Sequence, residues 1–280
     1  LETWKQRPAG LSANSQLEIF SVLRDPLTSR LVIPGSSIKG AIRTAIADLL
    51  RTRANPALAS VPQNTNRAGA DSVRYERQLL RGQAWDDRDY KPGIAIGDDP
   101  FRFFKVSDCH FDEANALITT VGIGRLDTLK QGNPALTVIS EASFSARSHG
   151  QGILARGTLN LDTKGIAWNH FGWKKNQVEQ VFTPEGIVQA LRHFYGQANN
   201  TAHPNPGYHL DAIDPASGKL LTDRLLNPKA APVRLGHYGQ IESKTLKPDG
   251  GAWQANKSGG VSRALINCEV PAGWAVLTIG

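Results

Sequence analysis

The stretch from Pro34 to Leu50 limits the possible folds of this chain more than any other segment. Ile38, Ile42, Ala45, Ile46, Leu49 and Leu50 recur at the i, i+4, i+7, i+8 spacing that gathers apolar side chains into one stripe of an α-helix. Such a stripe has to be buried, so the helix needs a layer to lie on. Its start is marked by the Pro34-Gly35 turn, and Ser36 or Ser37 is expected to cap it by accepting a hydrogen bond from a following amide. Beyond Leu50 the chain runs through Arg51, Arg53, Asn55 and Pro56 into an aperiodic stretch that reads as a loop or insertion to about Gly69.

Strands supply the layer. Phe101 to Asp108 reads as one, entered from the Gly97-Asp98-Asp99-Pro100 turn, and Ala116 to Ile123 as another. Ile153 to Asp162 alternates most cleanly, with Ile153, Ala155, Gly157, Leu159 and Leu161 on one face and Arg156, Thr158, Asn160 and Asp162 on the other. It is expected to pair with Thr137 to Ala146 across Gly150-Gln151-Gly152 as an antiparallel hairpin with a basic end at Arg147 and His149. A second helix has Thr183 as N-cap, Pro184 at its first position, Ile187, Leu191 and Tyr195 on one face, and Gly196 as its stop. Gln197 to Pro232 reads as a long excursion and Trp274 to Ile279 as a closing strand. No repeat of solenoid length is present. The mixture places the chain in the α+β class.

Lys and Arg outnumber Asp and Glu by 32 to 25, so a polyanion is an eligible partner, although a solvated basic surface gives the same totals. Cys109 and Cys268 stand far apart without a CxxC or Cys/His pattern, which removes a zinc site and a disulfide framework and fits a reducing compartment. No segment approaches the roughly 18 apolar residues of a membrane span. The expectation is a cytoplasmic protein without metal or cofactor.

The segment IPGSSIKGAIRTA, Ile33 to Ala45, opens a helix with Lys39 and Arg43 four apart on one flank. Helix-end amides beside two cations suit a backbone phosphate, whereas the GxxxxGK[ST] spacing of a nucleotide loop is absent. An ordinary capped helix with surface cations remains an equal reading. Farther on, Arg234, Gly236, His237, Tyr238, Gly239 and Lys244 combine glycines, cations and an aromatic ring, as single-stranded RNA contacts do; a surface hairpin whose Tyr238 packs on a neighbour is the alternative. Asp108 with His110 could be proposed for acid-base cleavage of RNA, but an Asp at a strand end more often caps or turns the chain. Trp168, Phe171 and Trp173 form a cluster that suits a stacking platform, an interface or the core.

IPGSSIKGAIRTA resembles the signature of the RAMP superfamily, the repeat-associated proteins that build type III CRISPR complexes. DPLTSRLV from Asp25, DPFRFFKVSD from Asp99, VRLGHYGQIESKT from Val233 and PAGWAVLT from Pro271 are similar to stretches of the fifth Csm subunit of type III-A complexes. These separated segments together cover about a quarter of the chain. The resemblance implies a modified ferredoxin-like (RRM-like) fold with insertions and a C-terminal glycine-rich loop. It divides the chain into a core at 1–165 and a helical/β part with that loop at 166–280.

The resemblance also implies a non-catalytic subunit at the head of the complex near the 3′ part of the guide RNA, serving guide maturation and assembly in antiviral defence. Its partners are then crRNA and other Csm/RAMP subunits, with a host nuclease for 3′ trimming left open and no membrane. The candidate RNA contacts are Ser36, Ser37, Lys39, Arg43, Lys105, Arg147, Arg234, Gly236, His237, Tyr238 and Lys244, with the helix start and the glycine loop expected to form one cationic cradle. Three alternatives stay open: a metal-independent RAMP endoribonuclease with His237 or His149 as base, a sister subunit of the type III-B complex, and a filament cap whose cations are incidental.

Overall fold

In a computed structural model of the chain, the described residues are 19–53, 80, 99–111, 115–125, 128–129, 131–144, 153–162, 180–198, 223–236, 262–267 and 270–280. The apolar stripe folds as α1, Gly35–Arg53, with Ile42, Ala45 and Ile46 fully buried. The second helix, α2, spans Pro184–Ala198 and buries Ile187, Leu191 and Tyr195. Its cap is as expected, since Thr183 Oγ1 accepts a hydrogen bond from the Gly186 amide at 3.0 Å. Gly196 does not stop it. The helix runs on to Ala198, because a glycine near a helix end costs only about 1 kcal/mol and the buried Phe194 and Tyr195 just before it hold the turn to the core.

The two helices pack on each other and on strands. One hydrophobic core takes Ile42, Ile46, Leu50, Phe101 and Phe104 from before residue 165 and Phe182, Ile187, Leu191, Phe194 and Val233 from after it, so the two halves of the chain share their interior. Burial pushes the Tyr195 phenol far above its ordinary pKa. A carboxylate also lies at this interface: Asp48 is 1% exposed. Arg51 donates to its Oδ1 at 3.2 Å, and His193 Nε2 stands 3.6 Å from its Oδ2.

The expected strand at Phe101 begins later. Pro100–Phe103 is a 3-10 turn, because Asp99 accepts from the Phe101 amide at 2.9 Å and Pro100 fixes the first φ of the turn. After it come β3, Phe104–Val106, and β4, Cys109–Phe111. The segment read as one strand at Ile153–Asp162 is split into β7, Ala155–Arg156, and β8, Leu159–Leu161.

Its partners also differ from the expected hairpin. β8 pairs antiparallel with β3 and β7 with β4. The two breaks coincide: Ser107 N donates to Thr158 O at 3.0 Å and Thr158 N donates to Ser107 Oγ at 2.8 Å, so both strands bend at one corner. β2, Val32–Ile33, adds to the outer side of β4.

The segment expected to form that hairpin is β6, Leu136–Phe144. It pairs along its length with β5, Asn115–Arg125, and in parallel with β1, Ile19–Phe20. The nearly continuous β5–β6 ladder satisfies more backbone groups than a pairing across the Gly150 region could.

β9, Ala230–Arg234, begins within the stretch read as an excursion and packs beside α2. Arg192 of α2 fixes it there by donating to the carbonyls of Ala230, Leu225 and Asn227 at 2.8–3.0 Å. β10, Ser262–Ile266, continues the β5 sheet and carries β11, Val270–Pro271. The expected closing strand is β12, Trp274–Thr278, paired with β9. Among the described residues, no helix is long and apolar enough to cross a membrane.

Candidate nucleic-acid interface

At the start of α1 the geometry departs from the expected serine cap. The Gly35 amide donates to Asp108 Oδ1 at 2.7 Å, and the Ser37 and Ile38 amides reach the Pro34 carbonyl at 3.0 and 3.3 Å. Gly35 is already helical, so Ser36 and Ser37 fall inside the first turn, where a hydroxyl is not in the N-cap position. The positive end of the helix therefore holds a carboxylate from 73 residues away.

Lys39, one turn further on, is partly exposed and makes no ion pair with a described residue. Arg43 is committed within the fold. It pairs with Asp99 at 2.5 Å and its guanidinium lies 5.2 Å from the Phe101 ring centroid. This holds the 3-10 turn against α1 and takes Arg43 out of the cationic flank expected from its spacing.

Arg234 is likewise internal. It is 5% exposed, donates to the Ala272 carbonyl at 3.2 Å and lies over the Trp274 ring. It therefore fastens β9 to β12 instead of reaching outward. Gly236 follows on the surface at φ +85°, with the Leu235 amide bonded to the Gly273 carbonyl at 2.8 Å. Arg147, His149, His237, Tyr238, Gly239, Lys244 and the Trp168–Trp173 cluster lie outside the described residues. Of the expected contacts, the structure thus sets Ser36, Ser37 and Lys39 at the α1 start. Lys105 lies on the adjoining β3, and Gly236 follows β9, which lies beside α2.

The Asp108 and His110 side chains do not form an acid-base pair. Asp108 is spent on Gly35, and His110 Nδ1 lies 3.9 Å from Asp25 Oδ2. Asp25 belongs to the hairpin between Arg24 and Leu31, where its Oδ1 accepts from the Leu27 and Thr28 amides at 2.8 and 2.9 Å. Those backbone bonds, from Thr28 first, hold the Asp25 carboxyl below its ordinary pKa. Burial, and then Asp108, push the Cys109 thiol up, which disfavours the nucleophilic thiolate. No group of three metal-ligating side chains occurs among the described residues.

Further cations and polar groups join the expected Lys105 on the β3–β8 and β4–β7 pairs. Lys105 stands opposite Asn160 and His110 opposite Arg156. Lys105, Asn160 and Arg156 are exposed, and Arg102 lies with its guanidinium 4.4 Å from the Phe103 ring centroid. The alternation of Arg156, Thr158 and Asn160 against Ala155, Leu159 and Leu161 was the sequence signal for this face.

Several solved structures resemble the chain, two of them over most of its length. One is a chain in the cryo-EM structure of a Csm–crRNA–target RNA ternary complex of a type III-A CRISPR-Cas system. It is 18% identical with a TM-score of 0.55, over 92% of this chain and 75% of that one. The other is crystalline Csm5 of T. onnurineus, 20% identical with a TM-score of 0.54, over 92% of this chain and 73% of that one. At these identities the likeness is one of fold. No curated protein has a significant sequence match. The sequence model of the RAMP superfamily matches residues 15–216, most of the chain and the whole of α1, the β3–β8 ribbon and α2, and the chain belongs to that superfamily.

Proposed function

We propose that the chain is a non-catalytic, crRNA-binding subunit of a type III CRISPR effector complex. In this reading it is the fifth Csm subunit, caps the complex near the 3′ part of the guide, and serves guide maturation and assembly in antiviral defence. The observation that carries the reading is the extent of the fold likeness: 92% of the chain matches a subunit of a complex that holds crRNA and target RNA. Two helices packed on each other, α1 also on β3 and α2 also on β9, with β5 and β6 between the helices in chain order, suit a modified ferredoxin-like core.

Lys39 and Lys105 are the exposed or partly exposed cations that supply phosphate contacts, helped by Ser36 and Ser37. Gly236 opens the glycine-rich loop in which His237, Tyr238 and Lys244 are further proposed contacts, and Arg147, after β6, is another. Arg43 and Arg234 support the fold beneath them. The non-catalytic reading draws support from Asp108, whose commitment to the α1 cap removes the acid-base pair that the sequence offered.

The test is to purify the tagged chain from its native host and identify what comes with it. Mass spectrometry should find a ladder of Csm subunits and RNA sequencing should find mature guides. Purification without RNA, or with unrelated proteins, would reject the assignment. Repeat RNA incubated with the purified chain in EDTA should stay intact; cleavage would reject the non-catalytic part.

A further inference from the structure

We propose that the outward face of the β3–β8 and β4–β7 ribbon is a seat for single-stranded RNA, with Phe103 as its base-stacking ring. The proposal rests on the crRNA-binding reading and adds to it the surface that meets the strand. Phe104, Val106, Cys109, Leu159 and Leu161 all lie in or against the hydrophobic core. Because strand side chains alternate, the residues between them point away from the helices. Lys105 beside Asn160, and His110 beside Arg156, therefore share one outer face.

Phe103 begins that face. It is partly exposed and stands outside the core that takes up Phe101 and Phe104. The Arg102 guanidinium lies over its ring. A ring held at the surface beside a planar cation offers a stacking surface for a base, and stacking tolerates any sequence because every base has a π-face. Lys105 and Asn160 have no side-chain partner among the described residues. They provide an ammonium for a phosphate and an amide for a base edge or a 2′-hydroxyl.

Acids mark the two ends of the face: Asp162, whose amide bonds the Phe103 carbonyl, and Asp25, next to His110. Cations and hydrogen-bonding groups occupy the middle. A protein-docking face would put apolar side chains at its centre. The exposed Leu117, Ile118 and Leu136 belong to the β5–β6 sheet, and the exposed Leu154, two residues before Arg156, stands at the margin of this face and not at its centre.

The first experiment uses the assembled complex. Ultraviolet cross-linking of bound RNA, followed by peptide mass spectrometry, needs no variant, and adducts are expected on the peptide that contains Phe103. On the purified full chain alone, freed of RNA, filter binding of a uridine 20-mer to the Phe103→Leu, Lys105→Ala and Arg156→Ala variants gives the energetics, after each variant is shown to melt like the parent. Phe103→Leu should weaken binding about five- to tenfold at every salt concentration. Lys105→Ala and Arg156→Ala should each lower the slope of log affinity against log salt by about one.

RNA bound as tightly by all three variants as by the parent, with adducts confined to other peptides, would overturn this face and leave the crRNA-binding reading standing. A protein–protein cross-link joining Phe103 or Lys105 to a neighbouring subunit would overturn it in favour of a protein interface. A parent complex that contains no RNA would remove the reading beneath it.

Discussion

The two helices of the core begin in different ways. α2 is capped by its own neighbour, Thr183, whose hydroxyl takes the Gly186 amide three residues on. α1 is capped by Asp108, which reaches Gly35 from the far end of β3. Each helix also has a glycine in its first turn pressed against backbone: Gly35 against Val106 and Ser107, Gly186 against Gln180 and Val181. The α2 start is thus complete once residues 180–186 are folded, whereas the α1 start exists only when the β3–β4 corner has docked. A helix end built by tertiary contact ties the fold together, and it also puts a negative charge where a phosphate was expected.

The largest effect should come from the glycines. A Cβ on Gly35 would lie 2.6 Å from the Ser107 carbonyl oxygen and closer still to that of Val106. Those carbonyls cannot retreat, because the corner is fixed on both sides by β8 and β7. Gly35→Ala should cost about 3 kcal/mol, a fall in melting temperature on the order of 6–12 °C. Gly186→Ala would bring its Cβ even nearer to the Gln180 carbonyl oxygen, but Gln180 is exposed and its turn is not held by a strand ladder among the described residues, so the turn can shift and the cost should be about half as much. Equal losses in the two variants, read by thermal denaturation, would erase the contrast.

The caps come next. Asp108→Ala should cost about 2 kcal/mol, since it removes a charged acceptor together with its interaction with the helix dipole. Thr183→Ala should cost about 1 kcal/mol. A double variant of Asp108→Ala with Gly35→Ala should fall well short of the sum, because both act on one docked corner. Thr183→Ala with Gly35→Ala should be additive.

A smaller effect bears on binding. Asp108→Asn keeps an acceptor for Gly35 and removes the charge at the α1 start. If phosphate passes the α1 start, crRNA affinity should rise by a factor of about two to five at low salt and converge with the parent at high salt. Unchanged affinity would move the RNA path away from this helix end.

This contrast also decides what the sequence could reveal. α1, α2, the Thr183 cap and β12 follow from spacing and from residues within one turn of each other, and all four are legible. The Asp108 cap, the Arg43–Asp99 pair and the Arg234–Ala272 bond are not, because each partner is chosen by folding across dozens of residues. Lys39 and Arg43 look alike on a helical wheel, yet among the described residues only Arg43 finds an acid and a ring. Strand pairing is not legible for the same reason. Ile153–Asp162 announces its alternation but not that β3 and β4, instead of β6, will provide its ladder. The outer face could still be read in part, because alternation assigns Arg156 and Asn160 to the side opposite Leu159 whichever strand lies beside them.

Asp25 provides the smallest and most local test. Like Thr183 it closes its own backbone, accepting from the Leu27 and Thr28 amides, and those bonds lower its pKa below the ordinary 3.8. A carboxyl with a depressed folded pKa gives a stabilisation that is present above the unfolded value and is lost as pH falls through the folded one. Protection of the Leu27 and Thr28 amides, corrected for intrinsic exchange, should therefore be steady above about pH 4 and decline below it. Asp25→Asn should abolish that acid step and leave weaker protection at neutral pH. The core amides of α2 should not follow the hairpin, because the bonds lost belong to one turn. If acid loosened α2 in step with Leu27 and Thr28, the hairpin would be a part of the core instead of an appendage beside His110, and its cap would be as tertiary in its effect as that of α1.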